Sequence, residues 1–294
     1  MVFLRQITLP DEDMELGVIY AEKKTCYTSA YPFRIFPQKG RRCFDFAPVT
    51  LFCGGNGSGK TTLLNIIAEK LSASRHSAFN NSAFFKRYTD LCRVGTGAEP
   101  GGIFFLSSDD VFDYVLNIRH INSGFDDKRE KVFAEYCESK KNVKHDPSYL
   151  RLNGLEDYDR WKEVYDSVTK TASRFVRERV SRNIDMYSNG ETAMRYFTEM
   201  IDRDSLYLID EPENSLSVKH QEELADFIRD SARFFNCQKF IIATHSPVFL
   251  ATERAEIYDL DSVPVEKRAW TDIRNVRDYF EFFQKHRDKF THDK

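Results

Sequence analysis

The chain has 294 residues, 41% hydrophobic and 14% aromatic, which is enough to bury a sizeable core and too apolar for disorder. A net charge of −3 supplies no global positive field to recruit nucleic acid, although a local basic face stays open. Cys26, Cys43, Cys53, Cys92, Cys137 and Cys237 include no CxxC pair, so they read as reduced thiols rather than a zinc site.

In chain order, FLRQITL (3–9), GVIYAEK (17–23), FRIF (33–36) and CFDF (43–46) carry short β-like patterns, and an antiparallel N-terminal sheet is expected. The start, MVFLRQITLPDEDMEL, turns acidic too soon for a signal peptide. PVTLFC (48–53) is an apolar strand that runs straight into a glycine loop. TTLLNIIAEKL (61–71) is then a helix with Leu63, Ile66, Ile67 and Leu71 on one face. The polar stretch 72–85 reads as a loop, and GGIFFL (101–106) as a second buried strand.

Charged helical segments follow, such as DDKREKVFAEYCESKK (126–141) and a longer one from Leu155 to about Arg182. In the latter, Tyr158, Trp161, Tyr165, Val168, Ala172 and Phe175 recur at helical steps. Folded back once, roughly 90 helical residues would make arms of at most about 70 Å. Asp146-Pro147 and Asn153-Gly154 interrupt them further, so a compact lobe is expected. Strands return in SLYLID and KFIIAT, separated by a helix over roughly 218–235, then in EIYDLD. The tail IRNVRDYFEFFQKHRDKF is an amphipathic helix. The expected division is a core of 1–106 with 200–294 and a helical subdomain of 107–199. No segment reaches the roughly 18 apolar residues that span a bilayer, so a cytoplasmic protein without membrane insertion is expected.

Three segments carry chemistry. GGNGSGKTT (54–62) fits G-x-x-x-x-G-K-[ST] between a strand and a helix, the context that motif needs. Gly54, Asn56, Gly57, Ser58 and Gly59 would curl backbone N–H groups around phosphates, continued by Lys60, Thr61 and Thr62 at the positive end of the helix. Lys60 would reach the β/γ-phosphates of ATP, and the Thr61 hydroxyl would bind Mg²⁺. SLYLIDEPENS (205–215) is a buried strand ending in two acids, with Asp210 suited to Mg²⁺ and Glu211 to polarising a water; an acidic turn is the plainer reading. FIIATHSPVFLA (240–251) ends a strand in His245, which suits contact with a γ-phosphate and the attacking water, or else a buried structural role. Ser188 and Glu191 in MYSNGET (186–192) have the spacing of a capping box.

In this order the motifs resemble those of ABC-type ATPases, in particular the SMC/RecF-like branch. Within that branch the chain looks most like a group of small bacterial AAA/ABC ATPases, a likeness carried by YPF (31–33), VTLFCGGNGSGKTTLL (49–64), GIFFL (102–106), SNGE (188–191), YLIDEPENSLS (207–217), IIATHSPVFLA (241–251) and EIYDLD (256–261). It covers both ends of the chain and almost none of 107–180. The resemblance implies an α/β P-loop fold of ABC type, with a mixed central sheet, an N-terminal antiparallel β subdomain and an inserted helical subdomain. It also implies a homodimer closed on ATP, in which Ser188, Asn189, Gly190 and Glu191 are the signature that meets the nucleotide of the other subunit. Glu211, His245 and Lys60 would be its catalytic residues.

The chain departs from the pattern at several points. After GIFFL no Gln follows, and Ser108 or Asp109 takes the place, which makes Asp109 a further candidate metal ligand. Glu191 replaces the usual Gln, and Ser217 stands where the loop after the acidic pair often ends in Asp. Tyr31, Phe33 and Phe36 are candidates to stack on adenine.

In this branch the partners are DNA, nucleases or regulatory subunits, and some relatives act in DNA repair or antiphage defence. An effector partner, nuclease or toxin, is therefore expected. Alternatives are the ATPase subunit of a transporter and an ATP-binding scaffold without turnover; no NKxD motif supports a GTPase. Arg174, Arg177, Arg179 and Arg182 could meet DNA phosphates or form a solvated helix face with internal ion pairs to Glu178.

Overall fold

Strand β3 (Val49–Cys53) is apolar almost throughout because both of its faces are covered, and all five of its residues are buried. In the computed structural model it pairs in parallel with β7 (Lys239–Ala243) on one side and β8 (Glu256–Asp259) on the other. Parallel pairing continues from β7 to β6 (Leu206–Asp210) and from β6 to β5 (Ile103–Ser107). The short antiparallel β9 (Glu266–Lys267) makes the sheet mixed, in the order β5-β6-β7-β3-β8-β9. The structure describes residues 3–22, 27, 29–97, 100–152, 155–184, 188–202, 204–234 and 239–290. Because the five long strands run in parallel, the segments that follow Cys53, Ser107, Asp210, Ala243 and Asp259 gather along one sheet edge, where α/β proteins place their ligands.

A second, antiparallel sheet of β1 (Leu4–Thr8), β2 (Cys43–Asp45) and β4 (Arg93–Thr96) has the order β2-β1-β4. Phe44, Phe52 and Tyr258 pack ring to ring between the two sheets, and the Tyr258 hydroxyl donates to the Asp45 carbonyl at 2.9 Å. Lys239, at the start of β7, is buried and donates Nζ to the Phe46 carbonyl at 2.9 Å and to the Leu4 carbonyl. The remaining helices of the core are α1 (Glu12–Ala21), α2 (Lys60–Lys70), α3 (Phe85–Leu91), α7 (Asn189–Met200), α8 (Val218–Phe234), α9 (Pro247–Leu250), α10 (Arg274–Lys285) and α11 (Arg287–Phe290).

Burial pushes the Lys239 ammonium down to about 7, opposed by nearby Glu256. The unfolded chain holds that proton to about pH 10.4. Asp210, whose carboxyl burial pushes up to about 7, opposes this near pH 7, so the unfolded state binds more protons and stability rises with pH between about pH 7.5 and 8.5. Above that window the buried thiols of Cys53 and Cys92, both pushed up to about 12 by burial, act in the opposite sense. Lys239→Met is expected to flatten the rise, read as urea midpoints at about pH 7.5 and 8.5; a flat parent profile counts against it.

Three local expectations are corrected. Residues 17–21 are helical, not a strand, because Asp11 caps α1 by accepting the Met14 N–H at 2.8 Å and Glu12, Asp13 and Glu15 fill its first turn. FRIF forms turns: Phe33 and Phe36 are buried, but Arg34 between them sits at φ +68°, which no strand accommodates. The expected helix from Leu155 to Arg182 is broken at Lys170–Thr171 into α5 (Tyr158–Thr169) and α6 (Ala172–Arg179).

The chain divides into a unit of 1–112 with 188–294 and a unit of 113–187. Residues 107–112 and 188–199 thus cluster with the first unit, unlike the texture-based division. Asp110 and the buried α7 residues Thr192, Ala193, Tyr196 and Phe197 account for this. Helix α4 (Ser108–His145) begins in the first unit and supplies somewhat less than half of the second. Within the second unit Val132, Tyr136, Phe175 and Val180 form a small core of their own. Two of its four clustered arginines are held in ion pairs. Arg174 pairs with Glu178 at 3.0 Å, and Arg179 pairs with Asp166 at 3.2 Å while lying over Phe175.

Candidate functional site

The loop between β3 and α2 follows from its glycines. A Cβ on Gly54, at φ +148°, would lie 2.6 Å from Ser58 Oγ, so only glycine lets the loop close there. The loop ends at α2, whose first-turn N–H groups have no intrahelical acceptor and present the positive end of the helix. Gly55 donates its N–H to Asp261 Oδ2 at 2.7 Å, which fixes the back of the loop to the segment after β8. Asn56 and Gly57 are exposed at the tip, and Ser58 is buried beneath it. Lys60 is 4% exposed, and its Nζ donates to the carbonyls of Gly54 at 2.8 Å and Gly55 at 3.1 Å.

Strand β6 brings its acidic end to this loop. Thr61 Oγ1 donates to Asp210 Oδ1 at 2.9 Å. Burial pushes the Asp210 carboxyl up to about 7; the Thr61 bond pulls it down and the Glu211 and Glu213 charges add to the rise. Glu211 takes a left-handed conformation, φ +45°, and its N–H donates to the Ala243 carbonyl at 2.9 Å. Its Oε1 lies 3.8 Å from Lys60 Nζ and 3.9 Å from His245 Nδ1, while Asn214 Nδ2 donates to Oε2 at 3.1 Å. Lys60, Thr61, Asp210, Glu211 and His245 thus form one cluster, drawn from three strand ends.

A hard divalent cation suits the oxygen pair Thr61 and Asp210. Among the described residues no group of three or more His, Cys, Asp or Glu could hold a metal alone. Two protein oxygens with water and substrate phosphates completing the shell is the usual pattern for Mg²⁺. Asp109 is exposed and makes no hydrogen bond or ion pair among the described residues. Its neighbour Asp110 turns inward, accepting from the N–H groups of Ser77 and Ser107, each at 2.8 Å.

Of the aromatic candidates, Phe33 and Phe36 are core residues, and Phe36 packs beside Gly59. Tyr31 is half-buried, with its hydroxyl donating to Thr62 Oγ1 at 3.0 Å.

Ser188 caps α7. Its Oγ accepts the Glu191 N–H at 3.3 Å, and Glu191 Oε2 accepts the Ser188 N–H at 2.9 Å, a complete capping box. That backbone bond holds the Glu191 carboxyl below its ordinary range. A Cβ on Gly190 would lie 2.8 Å from His220 Nδ1, so this close approach to α8 requires glycine. His220 also contacts the Ser217 hydroxyl at 3.2 Å. Ser188, Asn189 and Glu191 are exposed; Tyr187 and Met186 lie outside the described residues.

One residue at this edge has no counterpart in the sequence reading. Glu213 is buried against Thr244 and His245, although in DEPEN it reads as part of an acidic turn. A carboxylate two positions beyond a catalytic-type acid on a buried strand end is the only available signal.

The fold and its motif order are similar to those of the SMC/RecF-like P-loop ATPases of ABC type. Residues 177–251, about a quarter of the chain, match the model of the family described as "AAA domain, putative AbiEii toxin, Type IV TA system". That stretch contains Ser188, Asp210, Glu211 and His245 but not the loop at 54–62. Among solved structures the chain is similar to the SMC head domain from Thermotoga maritima, at 15% identity and a TM-score of 0.41, over 91% of this chain and 98% of that one. It is also similar to the Smc head domain of Pyrococcus furiosus bound to the C-terminal domain of ScpA, at 14% identity and a TM-score of 0.36, over 83% of this chain and 95% of that one. No curated protein sequence matches it. Among the described residues no helix is long and apolar enough to cross a membrane.

Proposed function

We propose that the protein binds ATP with Mg²⁺, dimerises around it, hydrolyses it, and uses the cycle to drive or regulate a protein partner. The observation that carries this is the cluster of Lys60, Glu211 and His245, with Thr61 and Asp210 bonded to each other beside it. In it, Lys60 and the loop N–H groups hold the phosphates, and Thr61 and Asp210 hold the cation, which screens phosphate charge when bound. Glu211 polarises the attacking water. The signature Ser188–Glu191 meets the nucleotide of the second subunit.

The match to a family described as a putative toxin of a toxin–antitoxin system supports a role in antiphage defence or toxin control, with an effector nuclease or toxin as partner. A protein partner is favoured over DNA because half of the arginine cluster is engaged in ion pairs within its own unit.

Glu211→Gln tests the reading. It keeps the shape of the side chain and removes the base. Turnover is expected to fall about a hundredfold or more, ATP binding to persist, and ATP with Mg²⁺ to trap a dimer by size-exclusion chromatography. Undiminished turnover removes Glu211 from its role; tight ATP binding with a monomer removes the dimer.

A further inference from the structure

Glu213 takes no part in the chemistry assigned above, yet its surroundings are built around His245. Its side chain is 5% exposed, and Oε1 accepts from the Thr244 hydroxyl at 2.7 Å and from the His245 N–H at 2.6 Å. His245 Nδ1 lies 3.0 Å from the same oxygen without the alignment of a hydrogen bond. Nδ1 and Glu213 Oε2 are therefore both buried and without a hydrogen-bond partner among the described residues. Two such orphans on adjacent groups are costly, and a turn of the imidazole ring lets the orphaned Oε2, rather than the already occupied Oε1, take an Nδ1–H bond.

The backbone around the ring is fixed. The His245 carbonyl accepts from Asn275 Nδ2 at 2.7 Å, the Ser246 N–H donates to Thr244 Oγ1 at 3.0 Å, and Ser246 Oγ donates to Gln221 Oε1 at 2.6 Å. Only the ring is left to turn. The His245 side chain is 40% exposed although Nδ1 is buried, so its open edge is the one that carries Nε2. Glu211 does not compete for Nδ1, since its Oε1 is 3.9 Å away and its Oε2 is held by Asn214.

We propose that Glu213 is the positioning carboxylate of His245: it accepts the Nδ1–H and so leaves Nε2 as an outward-facing acceptor. A neutral imidazole donates from one nitrogen and accepts at the other, and the partner of the first decides the role of the second. An accepting Nε2 suits an O–H of the attacking water beside Glu211 rather than a phosphate oxygen, which has no proton to give. No proton is transferred in this step; it sets orientation only. The role in hydrolysis rests on the ATPase reading, whereas the tautomer does not.

Glu213→Gln separates the two. The amide oxygen can still accept from Thr244 and the His245 N–H, but the amide nitrogen is a donor and demands an accepting Nδ1. Nitrogen-15 spectra of the histidine-labelled full chain at pH 8, assigned by loss of a signal in His245→Asn, are expected to show Nδ1–H in the parent and Nε2–H in Glu213→Gln. An Nε2–H parent, or one tautomer in both proteins, overturns the proposal whether or not ATP is hydrolysed. In turnover, kcat is expected to fall at least about tenfold with KM for ATP within about twofold. Combining Glu213→Gln with His245→Ala is expected to cost no more than His245→Ala alone; additive losses overturn it. A parent that turns over no ATP refutes the ATPase reading and leaves the tautomer assignment to the spectra.

Discussion

Lys60→Ala is expected to lower ATP turnover by about 10³-fold or more and to weaken ATP binding with it. A preorganised donor aimed at developing phosphate charge in a site with little water contributes on the order of 10²–10³ in rate. Lys60 supplies more than a donor, because it is a buried cation and the nearest one to Glu211 in this cluster, at 3.8 Å. In the structure its ammonium is held by the Gly54 and Gly55 carbonyls, at 2.8 and 3.1 Å. Those contacts keep it at the loop until phosphate oxygens replace them. Without it, Glu211 faces the phosphates with no lysine or arginine paired to it among the described residues, so binding and chemistry fail together. The loop itself should persist, since Gly54 and Gly59 set its backbone and Asp261 holds Gly55. Steady-state phosphate release and fluorescent-nucleotide titration read the effect, with the urea midpoint as the check on folding. Turnover like that of the parent, in a folded variant, would falsify the ATPase reading.

Some of this architecture is readable because burial forces residue type. VTLFC, LYLID and KFIIA are apolar where a strand is covered on both faces, and each is followed by a segment that no buried strand would choose. Other parts are set by a single local bond. GVIYAEK has β-like composition, yet Asp11 starts a helix before it, and the cap outweighs the propensity. β4 reads RVGT, with one large apolar residue, and exists because β1 offers its edge.

The site divides in the same way. Lys60, Thr61 and Asp210 are legible as candidates because phosphate and cation chemistry would fix their types and spacing. Glu213 is not, because its contacts depend on register. β6 pairs Asp210 with Ala243, which lays the turn after β6 against Thr244 and His245, some thirty residues away in sequence. Asp109 stands apart from Asp110 for a related reason. One helical step separates it from Asp110, and the inward position goes to the residue that can cap Ser107.

Ser188→Arg is expected to leave ATP binding to the protein's own loop intact and to abolish ATP-dependent dimerisation, taking turnover down to background. Ser188 is exposed at the start of α7, where the first N–H groups and the helix dipole suit an anion from outside. Its hydroxyl accepts the Glu191 N–H and can still donate its proton to a phosphate oxygen. Glu191, which would otherwise place a negative charge near that phosphate, accepts the Ser188 N–H instead. Its charge is thus engaged by its own helix, and the repulsion of a nucleotide is small. Arginine cannot complete the box, which costs about 1 kcal/mol of helix stability, but the larger effect is bulk and a displaced cation at the closing surface. Ser188→Ala separates the two effects, since it loses the cap without adding volume and should dimerise more weakly than the parent but detectably. Sizing with ATP and Mg²⁺ in a Glu211→Gln background gives the clearest contrast, because there the unsubstituted signature should trap the dimer. If Ser188→Arg dimerises and hydrolyses like the parent, the stretch SNGE begins a helix and does nothing more.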